Sequence, residues 1–191
     1  MTYASADGNL YAIADDLVSG HSFFDRVNLG SSSVTQVADL GLGFEGGGLF
    51  TGGLTFNPND GLFYAMSADG GGVSRVFNSI SPGGTVTALF SLGDGSLAFN
   101  GGLLFNPDDG RFYAISNDGL SNSALNSFAL GGGGAFNSEF ALGQGFNNVG
   151  LTEIPSVPEP STAGLFATAM VGLAALKRLI RHRNSINGGQ L

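Results

Sequence analysis

The chain has 191 residues, of which 33 are glycine and none is cysteine, and its formal net charge is −8. The lack of cysteine excludes disulfides, thiolate catalysis and cysteine-based zinc sites. Before residue 158 the only cations are Arg26, Arg75 and Arg111, against all but one of the 15 acids, so nucleic acid is disfavoured as a partner for want of a basic footprint.

From the N-terminus onward the chain repeats itself. Asp7-Gly8-Asn9-Leu10-Tyr11-Ala12-Ile13 returns as Asp60-Gly61-Leu62-Phe63-Tyr64-Ala65-Met66 and again as Asp109-Gly110-Arg111-Phe112-Tyr113-Ala114-Ile115. Upstream of the later copies, Gly52-Gly53-Leu54-Thr55-Phe56-Asn57-Pro58 matches Gly101-Gly102-Leu103-Leu104-Phe105-Asn106-Pro107. The interval is about 50 residues, a length typical of stacked or radial repeat architectures.

One unit reads as four short strands. In the second copy these are predicted at 53–57, 62–67, 74–80 and 86–92. Asn57-Pro58-Asn59-Asp60-Gly61 has the composition of a hairpin turn, with Pro presetting φ and Gly able to take φ > 0. Ser81 to Gly84 and Gly131 to Gly134 turn the last hairpins of their copies. Leu62, Tyr64 and Met66 alternate with Phe63, Ala65 and Ser67, so both faces are largely apolar, as in strands packed between neighbouring sheets. Four strands per repeat predict an all-β domain over 1–154, built of propeller-like blades. Asp-Gly-x-Phe/Leu-Tyr-Ala resembles blade strands of bacterial propellers. Three copies fall short of the usual ring, and 147–152 reads as a further first strand that would complete the opening blade.

No catalytic set stands out in the repeats. His21 is the only histidine before the tail, no Gly-x-Ser-x-Gly elbow accompanies it, and it reads as a loop or strand-edge residue. Asp15-Asp16, Asn59-Asp60 and Asp108-Asp109 offer oxygens of the kind Ca²⁺ takes. Two of these pairs sit in repeated turns, where Asp and Asn serve the backbone, and no metal or cofactor is expected. Gly46 to Gly48 and Gly131 to Gly134 lack the Lys-Ser/Thr of a phosphate loop and read as connections. The Phe and Tyr side chains read as packing between blades rather than as a sugar-stacking surface.

The composition changes at the C-terminus. Val157-Pro158-Glu159-Pro160 cannot be helical, because its prolines fix φ and remove donors. No charge follows from Ser161 through Leu176, a length of roughly 24 Å as helix, against a hydrocarbon core of ~30 Å. Leu179 and Ile180 extend the apolar face, giving a predicted transmembrane helix at 161–180. Lys177, Arg178, Arg181 and Arg183 form a basic stop that holds the C-terminus in the cytoplasm. Residues 184–191 are a polar cytoplasmic tail.

Acidic Pro-Glu-Pro turn, short apolar helix and basic cluster together resemble the C-terminal sorting signal of the PEP-CTERM proteins, over about residues 157–183. The resemblance implies an exported protein of a Gram-negative bacterium that makes exopolysaccharide. It implies recognition by an exosortase, a membrane-embedded transpeptidase resembling cysteine proteases, with cleavage near Pro158-Glu159-Pro160. The precursor would sit in the inner membrane with residues 1–157 on the periplasmic side, then pass to the cell surface or matrix.

Such a chain needs an export signal, yet Met1-Thr2-Tyr3-Ala4-Ser5 leads straight into a strand pattern. The expectation is an N-terminally truncated chain or a misassigned start. The first functional reading is a non-enzymatic surface repeat protein associated with exopolysaccharide. The alternatives are an exported propeller enzyme, hydrolase or lactonase-like, and a truncated fragment.

Overall fold

The computed structural model describes residues 1–16, 18–42, 53–68, 75–92, 99, 102–118, 122–144 and 151. The chain divides into two compact units, Met1–Glu153 and Ile154–Leu191, and every described residue belongs to the first. The sorting motif Val157, Pro158, Glu159 and Pro160, the span 161–180 and the basic residues Lys177, Arg178, Arg181 and Arg183 lie outside the described residues. So do Gly46 to Gly48 and, apart from Leu151, the predicted strand at 147–152. Among the described residues no helix is long and apolar enough to cross a membrane.

The first unit is all-β. Its strands are β1 (Thr2–Ala4), β2 (Asn9–Asp15), β3 (His21–Asn28), β4 (Ser33–Leu42), β5 (Leu54–Asn57), β6 (Leu62–Ala68), β7 (Arg75–Ile80), β8 (Val86–Leu92), β9 (Leu103–Asn106), β10 (Arg111–Asn117), β11 (Asn122–Phe128) and β12 (Phe136–Gln144). They form three four-stranded antiparallel sheets, each a meander of consecutive strands: β1 to β4, β5 to β8 and β9 to β12. The predicted strands of the second copy therefore stand to within a residue at each end. The opening copy begins with a first strand of only three residues.

Each repeat enters its sheet through the same turn. Gly8, Gly61 and Gly110 have φ of 73°, 74° and 70°, and each amide donates to the carbonyl four residues back, at 2.9 to 3.0 Å. Only glycine takes this left-handed conformation without strain, which is why the Asp-Gly pair recurs.

The register lines up one apolar row per sheet. Phe56, Phe63, Ile80 and Val86 are successive cross-strand partners in the second sheet. Phe105, Phe112, Phe128 and Phe136 occupy the same places in the third, and Tyr3, Leu10, Val27 and Val34 in the first. The row of the second sheet packs against Tyr11 and Phe24 of the first, with ring centroids 4.5 Å apart for Tyr11–Phe63 and 5.1 Å for Phe24–Phe63. The row of the third packs against Tyr64 and Phe77 of the second, at 4.8 Å for Tyr64–Phe112 and 5.0 Å for Phe77–Phe128. The aromatic side chains thus serve packing between sheets, as the alternation predicted, and each ring pair adds about 0.5–1.5 kcal/mol beyond its burial.

Two contacts fix the sheets closely. A Cβ on Gly84, in the β7–β8 turn, would lie 2.1 Å from the Cβ of Ala38 in the first sheet. One on Gly134, in the β11–β12 turn, would lie 2.4 Å from the carbonyl of Ser91 in the second. The first strands also meet, with β5 lying against both β1 and β9. There the buried amide of Phe105 donates to Thr55 Oγ1 at 3.0 Å.

Candidate functional site

The most regular polar arrangement is built on the repeated turn. In each copy the Asp of Asp-Gly accepts two bonds. Its Oδ1 takes the amide two residues on: Asn9 to Asp7 at 3.1 Å, Leu62 to Asp60 and Arg111 to Asp109 at 2.9 Å. Its Oδ2 takes the tyrosine hydroxyl four residues on: Tyr11 to Asp7 and Tyr64 to Asp60 at 2.7 Å, Tyr113 to Asp109 at 2.6 Å. Asn57 Nδ2 adds a third bond to Asp60 at 2.8 Å. The turn brings residues i and i+4 of a hairpin within reach, and the carboxylates are committed to the fold.

The titration behaviour follows from this geometry. Burial, then the bond to Asp60 and the charge it carries, push the Tyr64 hydroxyl well above the ordinary phenol range. Tyr11 is raised for the same reasons in the same order. Tyr113 is raised first by its bond to Asp109 and then by burial. For Asp7, burial acts upward but is outweighed by bonds from Tyr11 and Asn9, and the net shift is downward.

A second polar feature pairs β3 with β4. His21 Nδ1 lies 2.8 and 2.9 Å from the two carboxylate oxygens of Asp39, and the ring stacks on Phe23. The side chains remain 35% and 44% exposed. Asp39 is held below the usual carboxylate range by the Gly41 amide and then by His21. His21 is the first residue of β3, the strand-edge position the sequence predicted. Its partner, 18 residues away, was not legible there.

The third feature is a cavity of about 340 Å³ where the first strands of the three sheets meet. Leu54, Phe56, Leu103 and Phe105 line it together with Thr2 and Leu151. Its size suits a small ligand, and none of its described lining residues has a charged side chain. No family model matches this chain, and no curated protein is similar to it. Among the described residues no three His, Cys, Asp or Glu side chains come together to hold a metal ion.

Sequence reasoning missed one further pair of residues. Asn78 and Asn126 are buried in the third strands of their sheets. Their Nδ2 groups donate to Ser67 and Ser116 Oγ at 3.0 and 2.8 Å, and to the carbonyls of Val76 and Ala124 at 2.9 and 3.0 Å. The shared Asn-Ser of Asn78-Ser79 and Asn126-Ser127 was the available signal. The first sheet has Asp25-Arg26 in the same register.

Proposed function

We propose that this chain is an exported, surface-directed repeat protein whose three sheets are propeller blades and whose C-terminus is an exosortase sorting signal. The reading rests on the three-part pattern of residues 157–183: Val157-Pro158-Glu159-Pro160, an uncharged stretch from Ser161 through Leu176, and the cluster Lys177, Arg178, Arg181 and Arg183. The uncharged stretch is a little short for a bilayer. Snorkelling lysine and arginine make up the difference, which suits an anchor held only until cleavage.

The repeated meanders support the blade reading. Each sheet runs in sequence order, the second and third pack their apolar rows on the sheet before them, and the first strands lie beside one another, as in radial repeats. The committed Asp carboxylates and a cavity whose described lining offers no carboxylate, histidine or lysine side chain favour a binding or scaffolding role over hydrolysis. Neutral exopolysaccharide is the partner class that an acidic, hydroxyl-rich exterior tolerates, since polyanions would be repelled.

The test is mass spectrometry of the protein recovered from cells of an exosortase-bearing host and from an exosortase deletant. A C-terminus ending near Pro158-Glu159-Pro160 in the first and an intact tail in the second is expected. An uncut chain in both, or surface display that survives deletion of residues 157–191, would remove the sorting role.

A further inference from the structure

The first strands turn their unpaired sides toward the cavity. In each entry hairpin the carbonyl of the last residue of the first strand, Ala4, Asn57 or Asn106, takes the amide of the turn glycine on the side of the second strand. Along an antiparallel strand the amide and carbonyl of one residue point the same way, and successive residues point opposite ways. Tyr3, Leu54 and Phe56 therefore aim both groups away from β2 and β6, and all three line the cavity. Phe105 does the same in β9, where its amide leaves the sheet for Thr55 Oγ1 at 3.0 Å. Among the described residues no backbone group pairs with the outward amides and carbonyls of Tyr3, Leu54 and Phe56.

Thr55 adds a hydroxyl to this wall. It is 5% exposed and lines the cavity. Having accepted from Phe105, its Oγ1 keeps a proton to donate, and no described residue takes that proton. A buried donor is seldom left without an acceptor. Thr2 stands opposite Tyr11 as Thr55 stands opposite Tyr64, and it brings a second hydroxyl to the lining. Leu54, Leu103, Leu104 and Leu151 supply the apolar part.

This arrangement selects against ions. Each outward residue sets a carbonyl beside its amide, so every fixed donor comes with a fixed acceptor. Carbonyls repel an anion and amides repel a cation, and no described lining side chain carries a charge to compensate. A hydroxyl group suits both partners, because it donates and accepts at once. A compact ring with several hydroxyls, and a C–H face for the leucines, has the matching pattern.

We infer that the cavity holds one neutral sugar ring, with its hydroxyls on Thr55 and on the outward main chain of Leu54 and Phe56. The volume of about 340 Å³ lies at the small end of ligand sites and admits one ring rather than a run of them. Tyr3 is exposed and Thr2 half-buried, which leaves a way in on the side of β1. The ring arrives as a free sugar or as the end of a neutral chain. The inference rests on the neutral saccharide partner proposed above, and not on the sorting tail or on closure of a ring of blades.

The test is saturation-transfer NMR of the full-length protein, held in a detergent without a sugar headgroup. The probes are glucose, galactose and mannose, each alone, with glucuronate as the charged counterpart. At least one neutral hexose should bind saturably, and glucuronate at least tenfold more weakly. Thr55→Val should weaken that hexose by about tenfold, and Thr55→Ser should restore it. Thr2→Phe fills the cavity without touching the Thr55–Phe105 bond and should abolish binding. A linear tetrasaccharide that binds as tightly as its free terminal sugar identifies a chain end as the source. One that does not identifies the free sugar.

Three results would overturn the inference. One is that none of the three hexoses binds. Another is binding that Thr55→Val and Thr2→Phe leave unchanged, which would put the sugar elsewhere. The third is glucuronate binding as tightly as the hexose. Co-sedimentation with dextran separates this failure from that of the wider reading. Dextran retained by a protein that binds no hexose would remove the cavity site alone, and loss of both would remove the saccharide partner. Circular dichroism of each variant, matching that of the parent, separates these results from misfolding.

Discussion

The hydroxyl of Tyr64 donates to the carboxylate of Asp60 at 2.7 Å, across the turn that Gly61 makes with φ of 74°. The bond ties the loop of one hairpin to a ring that itself packs 4.8 Å from Phe112 of the next sheet. Turn chemistry and inter-sheet packing therefore meet in one side chain. Tyr11 repeats the arrangement in the first sheet. Tyr113 repeats the bond in the third, where the tyrosine is more exposed.

Replacing Tyr64 with Phe keeps the ring and removes the bond. A hydrogen bond to a charged group contributes about 1.5–3 kcal/mol, and the loss should fall in that range. Tyr113→Phe, whose bond is exposed, should lose about 1 kcal/mol or less. Urea unfolding midpoints with unchanged slopes measure both. Equal losses would mean that burial of the bond is immaterial.

The raised tyrosines make the fold sensitive to alkali. A tyrosine whose folded pKa lies above its unfolded value contributes stability that is complete below the unfolded value of about 10. That stability is lost as pH rises through the folded value, because the unfolded chain gives up the proton first. Melting temperature should hold steady to about pH 9 and fall steeply beyond about 10. Tyr64→Phe should flatten the fall, and an unchanged slope in that variant would count against Tyr64 as its source.

The glycines separate two effects. An added Cβ on Gly61 meets nothing within 4 Å, so Gly61→Ala carries only the left-handed strain of about 1–2 kcal/mol. On Gly84 the same atom would overlap Ala38 at 2.1 Å, adding about 1–3 kcal/mol of overpacking. Gly84→Ala with Ala38→Gly should recover the second part and not the first. A thermal-melt cycle of the four proteins reads this directly.

Asn78 is buried with its Nδ2 used three times and its Oδ1 without a partner among the described residues. Asn78→Asp would set a carboxylate against the carbonyls of Ala65 and Val76. The variant should lose about 3 kcal/mol or more at neutral pH. Burial raises a carboxyl pKa, so much of the loss should return as pH falls toward about 5. A loss that is independent of pH would mean that the site keeps the carboxylate hydrated.

The strands and entry turns were legible because two local signals agree: alternation with period two, and an Asp-Gly that only a left-handed turn explains. What faced what was not legible. Both faces of β6 are apolar, so nothing local assigns Phe63 to the first sheet and Tyr64 to the third. The His21–Asp39 pair was hidden for another reason. Register shifts fall between Ser22 and Phe23 and between Phe24 and Asp25, so counting alternate residues along β3 and β4 misplaces cross-strand partners. The tail is readable as sequence because its order of proline, apolar run and basic stop requires no long-range contact.

Among the described residues the fourth strand of every sheet has no strand on its outer side, and each carries the same irregularity. Val37, Leu89 and Glu139 are skipped in the pairing of β4, β8 and β12 with their neighbours. A bulge bends and over-twists its strand. An incoming strand from another molecule would find backbone groups in line over only half of each edge, which blunts edge-to-edge aggregation. At high protein concentration that crookedness works against growth of the sheets by strand addition along their rims.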